Sequence, residues 1–181
     1  MQQRYTTTAM VFHWLIALMI IGSFTMGLVM TDMALTPTKL KYYSWHKWAG
    51  VTILALATLR LLWRLSHKPP AYPDNMPVWQ KRSAHGLHRA LYVLMFAVPL
   101  SGYFYTLSAG FPVVYFGLFE LPVLIAKNEA LKPVLKEVHF WLNMLLAGTV
   151  ALHVAAALKH HFIDHDGVIK RMLPTLNREN P

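Results

Sequence analysis

The stretch "EVHFWLNMLLAGTVALHVAAALKHHF", residues 137–162, holds 21 consecutive residues without a formal charge between Glu137 and Lys159. At about 1.5 Å rise per residue, a helix of that length crosses the ~30 Å hydrocarbon core of a bilayer. Two histidines, His139 and His153, lie inside it. An imidazole inside hydrocarbon is either a hydrogen-bonded interior group or a functional one. Fourteen residues make almost four full turns, so the two rings share a face, about 40° apart in rotation and about 21 Å apart along the axis. One helix thus carries an imidazole near each membrane surface.

Three more spans of this kind lie upstream, at about residues 8–30, 45–65 and 90–110, with the opening stretch covering 138–158. The chain is 55% hydrophobic and 14% charged, too apolar for an ordinary soluble domain of 181 residues. The fold class is therefore all-α, an integral membrane four-helix bundle, with residues 1–181 as a single transmembrane domain. Lys47, Arg60 and Arg64 lie toward the ends of the second span, where long side chains reach the interface. The first span is too long for a signal-peptide core and lacks a small-residue cleavage site, which predicts a retained helix. Pro99 is expected to kink the third.

Four crossings put both termini on one side. That side holds Arg4, Arg60, Arg64, Lys68, Lys81, Arg82, Arg89, Lys159, Lys170, Arg171 and Arg178, eleven basic residues. The other holds six, Lys39, Lys41, Lys47, Lys127, Lys132 and Lys136. The positive-inside rule then places both termini in the cytoplasm of a bacterial inner membrane. The formal charge of +9 flanks apolar spans instead of forming one solvated face, which argues against nucleic acid as a partner and for membrane lipid. The proline-rich stretch after the second span reads as a fixed cytoplasmic connection. Residues 111–133, apolar but broken by Pro112, Glu120 and Pro122, are expected along the outer interface without crossing.

Cysteine is absent, which removes thiolate zinc sites, iron–sulfur ligation and covalent haem attachment together. Metal chemistry would fall to the ten histidines. His13 lies about one turn inside the cytoplasmic end of the first span, and His46 opens the second at the outer end. Depths therefore match in pairs, His46 with His139 outside and His13 with His153 inside. Two cross-helix imidazole pairs at two depths suit two b-type haems, each needing only two trans imidazoles and filling the bundle interior with an apolar ring. Zinc would lack further ligands. The plain alternative is a set of hydrogen-bonded interior histidines.

The segments "FHWLIALMIIGSFTMGL", "WHKWAGVTILALATLRLLWRL", "GLHRALYVLMFAVPLSGY" and "LHVAAALKHHFIDHDGVIKRM" resemble the bacterial cytochrome b561 family, a di-haem group that includes superoxide:ubiquinone oxidoreductase. The resemblance covers nearly the whole chain. It implies haem iron held by His46 and His139 at the outer face and by His13 and His153 at the inner, with ubiquinone as electron acceptor or donor. It also implies a quinone-side or supporting role for His88, which lies at the same depth as His13 and His153 and competes with them for two axial positions.

His160 returns to the face of His153 within about 20°. It reads as a proton relay or quinone contact, or as part of an ordinary basic helix end. Arg60 and Arg64, four residues apart, read as propionate clamps or as interfacial anchors. Lys39, Lys41 and Lys47 could steer superoxide toward the outer face. The function expected is a di-haem b cytochrome carrying electrons across the membrane to or from quinone, with superoxide or a redox partner protein at the outer face. The rival is a cytochrome b membrane anchor of a hydrogenase or formate dehydrogenase type complex, whose ligand pairing would be the same.

Overall fold

The computed structural model describes residues 4–73 and 76–173; Arg178, counted above on the cytoplasmic side, lies outside them. Four helices make up the fold: α1 (Thr7–Asp32), α2 (Pro37–Ser66), α3 (Val78–Ser108) and α4 (Leu131–Phe162). All four are long and apolar enough to cross a membrane. Their starts follow local chemistry. The side chains of Thr6 and Thr36 accept from the backbone N–H of Ala9 and Lys39, capping α1 and α2. Pro37 at the first position of α2 wastes no hydrogen bond. The Asn128 carboxamide accepts from the backbone of Ala130 and Leu131 at the head of α4.

The helices outrun the expected spans. Charges mark where a helix meets the interface, and nothing obliges it to stop there. α3 begins at Val78, directly after Pro77, and carries Lys81, Arg82 and Arg89 on its first turns. At 31 residues it is about 46 Å long, well beyond the hydrocarbon core. The proline-rich connection shrinks accordingly, to residues 67–77.

Close packing joins α1 to α2, α2 to α3 and α3 to α4. The buried centre, Ile16, Ala57 and Met95 with Phe12, Ile20, Leu56, Tyr92 and Phe96 around it, draws only on α1, α2 and α3. Elsewhere large apolar side chains such as Leu18 and Leu145 are 66% and 58% exposed, as lipid-facing positions are.

Residues 111–130 do not cross. They form a short hairpin, β1 (Val114–Tyr115) against β2 (Phe119–Glu120), antiparallel with Tyr115 opposite Phe119. Phe116 at φ 49° and Gly117 at φ 74° give the primed turn whose twist suits a hairpin. Trp48 Nε1 donates to Val114 O at 2.7 Å, and Thr52 Oγ1 meets the Tyr115 hydroxyl at 2.8 Å. The hairpin therefore folds back onto α2. At the opposite, terminal end, a 3-10 turn, Ile169–Arg171, is tied to the start of the chain: Tyr5 N donates to Arg171 O, and Trp14 Nε1 to Met172 O.

Candidate functional site

The structure brings the intramembrane histidines into two groups, one at each end of the bundle. At the hairpin end His46 of α2 faces His139 of α4, ring centres 6.2 Å apart and planes crossed at 84°. At the terminal end His13 of α1 faces His153 of α4 at 6.1 Å and 74°. Both pairs bridge helices outside the closely packed set, so the imidazoles reach across a gap in the bundle.

Rings in edge-to-face contact commonly stand roughly 4.5–7 Å apart, and this spacing is also one that a metal could use. Two imidazoles trans on one metal, at about 2.0 Å per metal–nitrogen bond and with each ring centre about 1.1 Å behind its nitrogen, stand about 6.2 Å apart. Both pairs match. His88 of α3 also meets His153, but at 5.3 Å, about 1 Å too close for that arrangement. His88 thus belongs to the same cluster without the same relation.

The hairpin-end pair is held in one orientation. His46 Nδ1 donates to Ser23 O at 3.1 Å, with Ser23 Oγ at 3.2 Å. His139 Nδ1 donates to Val98 O at 3.1 Å and to Ser101 Oγ at 2.9 Å. A proton fixed on Nδ1 leaves the Nε2 lone pair for a ligand, the usual second contact of a metal-binding histidine. Asn143 Nδ2, one turn along α4, donates to His139 Nε2 at 3.2 Å and to His139 O at 2.7 Å, so the same tautomer is favoured and a ligand at Nε2 takes the place of the Asn143 contact. Nothing in the sequence pattern marks Ser23 or Ser101 as partners of these rings. Only Asn143 carried a signal, as a polar residue four positions from His139 on an apolar helix.

Around this pair lies a cavity of about 960 Å³, lined by Ser23, Gly50, Pro99, Gly102 and Ala147 as well as both imidazoles. Its volume is that of a site for a large organic group. Glycines make room for the two rings: a Cβ on Gly102 would lie 2.8 Å from His139 Cε1, and one on Gly27 3.4 Å from His46 Cε1. Spacing, the tautomer with its hydrogen on Nδ1, and apolar volume all fit a b haem.

At the terminal end the surroundings differ. Arg60 Nη2 donates to His13 Nδ1 at 3.2 Å. His160, at the end of α4, sits with carboxylates: its Nδ1 donates to Asp166 Oδ2 at 2.6 Å and lies 3.2 Å from Asp164 Oδ2. Lys159 Nζ also pairs with Asp164, holding that carboxyl below its ordinary range. Asp166 Oδ1 accepts from Val168 N, so the carboxylate that orients His160 is itself fixed by the turn after α4. Sequence reading singled out His160 but not Asp166, which only the turn at Gly167 brings back to it.

The profile of the family described as prokaryotic cytochrome b561 matches residues 4–175. The chain belongs to that family. Cytochrome b561 homolog 2 of Escherichia coli K12 is 34% identical over 178 residues, covering 94% of this chain and 92% of the relative. Cytochrome b561 homolog 1 of the same organism is 28% identical, over 94% and 97%. A protein of Yersinia pestis named a probable superoxide oxidase, CybB, is 29% identical, over 96% and 98%. The family is one of integral membrane electron-transfer proteins that bind b-type haem, and the cavity between His46 and His139 has the chemistry for such a group.

Proposed function

We propose that the protein is a di-haem b cytochrome that carries electrons between the two membrane faces, to or from ubiquinone. His46 and His139 would hold the haem at the hairpin end, His13 and His153 the haem at the terminal end. The observation that supports this best is the spacing of both pairs, 6.2 and 6.1 Å between ring centres. When bound, each haem supplies a one-electron carrier. The chain's own part is to hold and tune. Nδ1 hydrogen bonds to Ser23 and Val98 make His46 and His139 stronger donors, and the apolar walls exclude water from the group between them.

The excess of basic residues supports a terminal end in the cytoplasm of a bacterial inner membrane and a hairpin end outside. His160 and His88 are then the quinone-side groups. With Nδ1–H given to Asp166, His160 keeps Nε2 as the atom that can take or deliver a proton. The name of the Yersinia pestis relative supports superoxide as donor at the outer face. Lys47 and Lys132 line the cavity there and could draw in a small anion.

The assignment of the inner ligands is tested by His13→Ala and His88→Ala, followed by visible spectra and haem content. Loss of one haem on changing His13, and retention of both on changing His88, is expected. The opposite outcome would make His88 and His153 the inner pair.

A further inference from the structure

Arg60 and Arg64 stand one turn apart on α2, both partly buried, with their guanidinium carbons each 5.6 Å from the centre of the Tyr92 ring on α3. Among the described residues neither forms a salt bridge; those present join Lys127 and Lys132 to Glu129, Lys159 to Asp164, and His160 to Asp164 and Asp166. A partly buried cation without a counter-ion is unfavourable, so the pair calls for an anion from outside the chain. Beside them is a small recess of about 50 Å³, lined also by Arg4, Tyr5, His67 and Lys68 and by no Asp or Glu. Since one water needs roughly 10–15 Å³, the recess admits a carboxylate or phosphate group and excludes a ring.

We propose that Arg60 and Arg64 form an anion clamp at the terminal end of the bundle, closing on a carboxylate or phosphate group. Guanidinium forks suit both by bidentate hydrogen bonding. Resting on the two-haem reading, the carboxylate is a propionate of the inner haem; the other source of the same chemistry is the phosphate of a lipid headgroup. The clamp also bears on His13. An imidazole that accepts from Arg60 at Nδ1 carries its hydrogen on Nε2, the reverse of His46 and His139. An anion that takes over Arg60 frees His13 to adopt the tautomer of the other pair.

The test uses the detergent-solubilised holoprotein with Arg60→Gln, Arg64→Gln and the double change, and Arg60→Lys and Arg64→Lys as variants that keep charge without the fork. Haem transfer to excess apomyoglobin and melting temperature with and without phosphatidylglycerol vesicles are measured. With a propionate in the clamp, one of two haem-release phases quickens about tenfold per guanidinium removed and the other is unchanged. With a lipid phosphate, release is unaltered but the rise in melting temperature given by phosphatidylglycerol disappears. If the double variant changes neither property, the clamp is overturned. Wild-type protein without haem would sink the two-haem reading instead, and the lipid measurement would still decide the clamp.

Discussion

A Cβ on Gly102 would stand 2.8 Å from Cε1 of His139. The contact crosses from α3 to α4, two helices that pack closely, so neither backbone can easily retreat. Gly102→Ala is expected to push the imidazole off Val98 O, at an overpacking cost of about 1–3 kcal/mol, and to lose the outer haem selectively. Gly22→Ala, where a Cβ would meet nothing within 4 Å, serves as the control. Haem content per chain measures both, and equal behaviour of the two variants would contradict the account.

The crossed imidazole planes, 84° at the hairpin end and 74° at the terminal end, bear on the electronic structure of any ferric haem between them. Near-perpendicular axial rings give a strongly anisotropic low-spin signal with a large low-field g value, whereas parallel rings give an ordinary rhombic one. Electron paramagnetic resonance of the oxidised protein should show the first kind at both sites.

Asp166→Asn tests the oriented histidine at the end of α4. Removing the charge that holds His160 Nδ1 should slow quinone reduction in the same direction as His160→Ala, for which loss of a positioned proton-transfer group is worth roughly 100- to 10,000-fold. Both variants should keep the two-haem spectrum. A loss of haem in either would make this pair structural instead.

Much of this was legible in the sequence for a physical reason. Membrane spans are set by length and charge, and the 14-residue step from His139 to His153 fixes two depths on one face with no tertiary information. Pairing those rings with His46 and His13 needed only that each lie near the matching end of its span. The groups that orient them were hidden, because Ser23 and Val98 act through backbone carbonyls, which any residue type could supply. The hairpin was hidden too: its two-residue strands carry no periodicity, and the left-handed backbone at Phe116 is not a phenylalanine preference. Asp166 escaped because a turn after α4, not helical spacing, brings it to His160.

The exposed Asp164–Lys159 pair makes a pH prediction. The Asp164 carboxyl is lowered in the folded chain by hydrogen bonding and charge from Lys159, so its contribution to stability is present above the unfolded value and lost as pH falls through the lowered folded one. Asp164→Asn should therefore lower the melting temperature slightly at neutral pH, where the pair is intact, and converge with the wild type as pH falls below about 4, giving a flatter acid limb. A large loss of stability at neutral pH would show that the residue does more than pair with Lys159.

The central claim, two haems held by two histidine pairs that each take one member from α4, is tested most directly by haem stoichiometry. Pyridine haemochrome content is set against protein concentration for the wild type, His139→Ala and His153→Ala. The account predicts two haems per chain in the wild type and one in each variant, with a different haem surviving in each. One haem or none in the wild type, or the same haem lost in both variants, would contradict it.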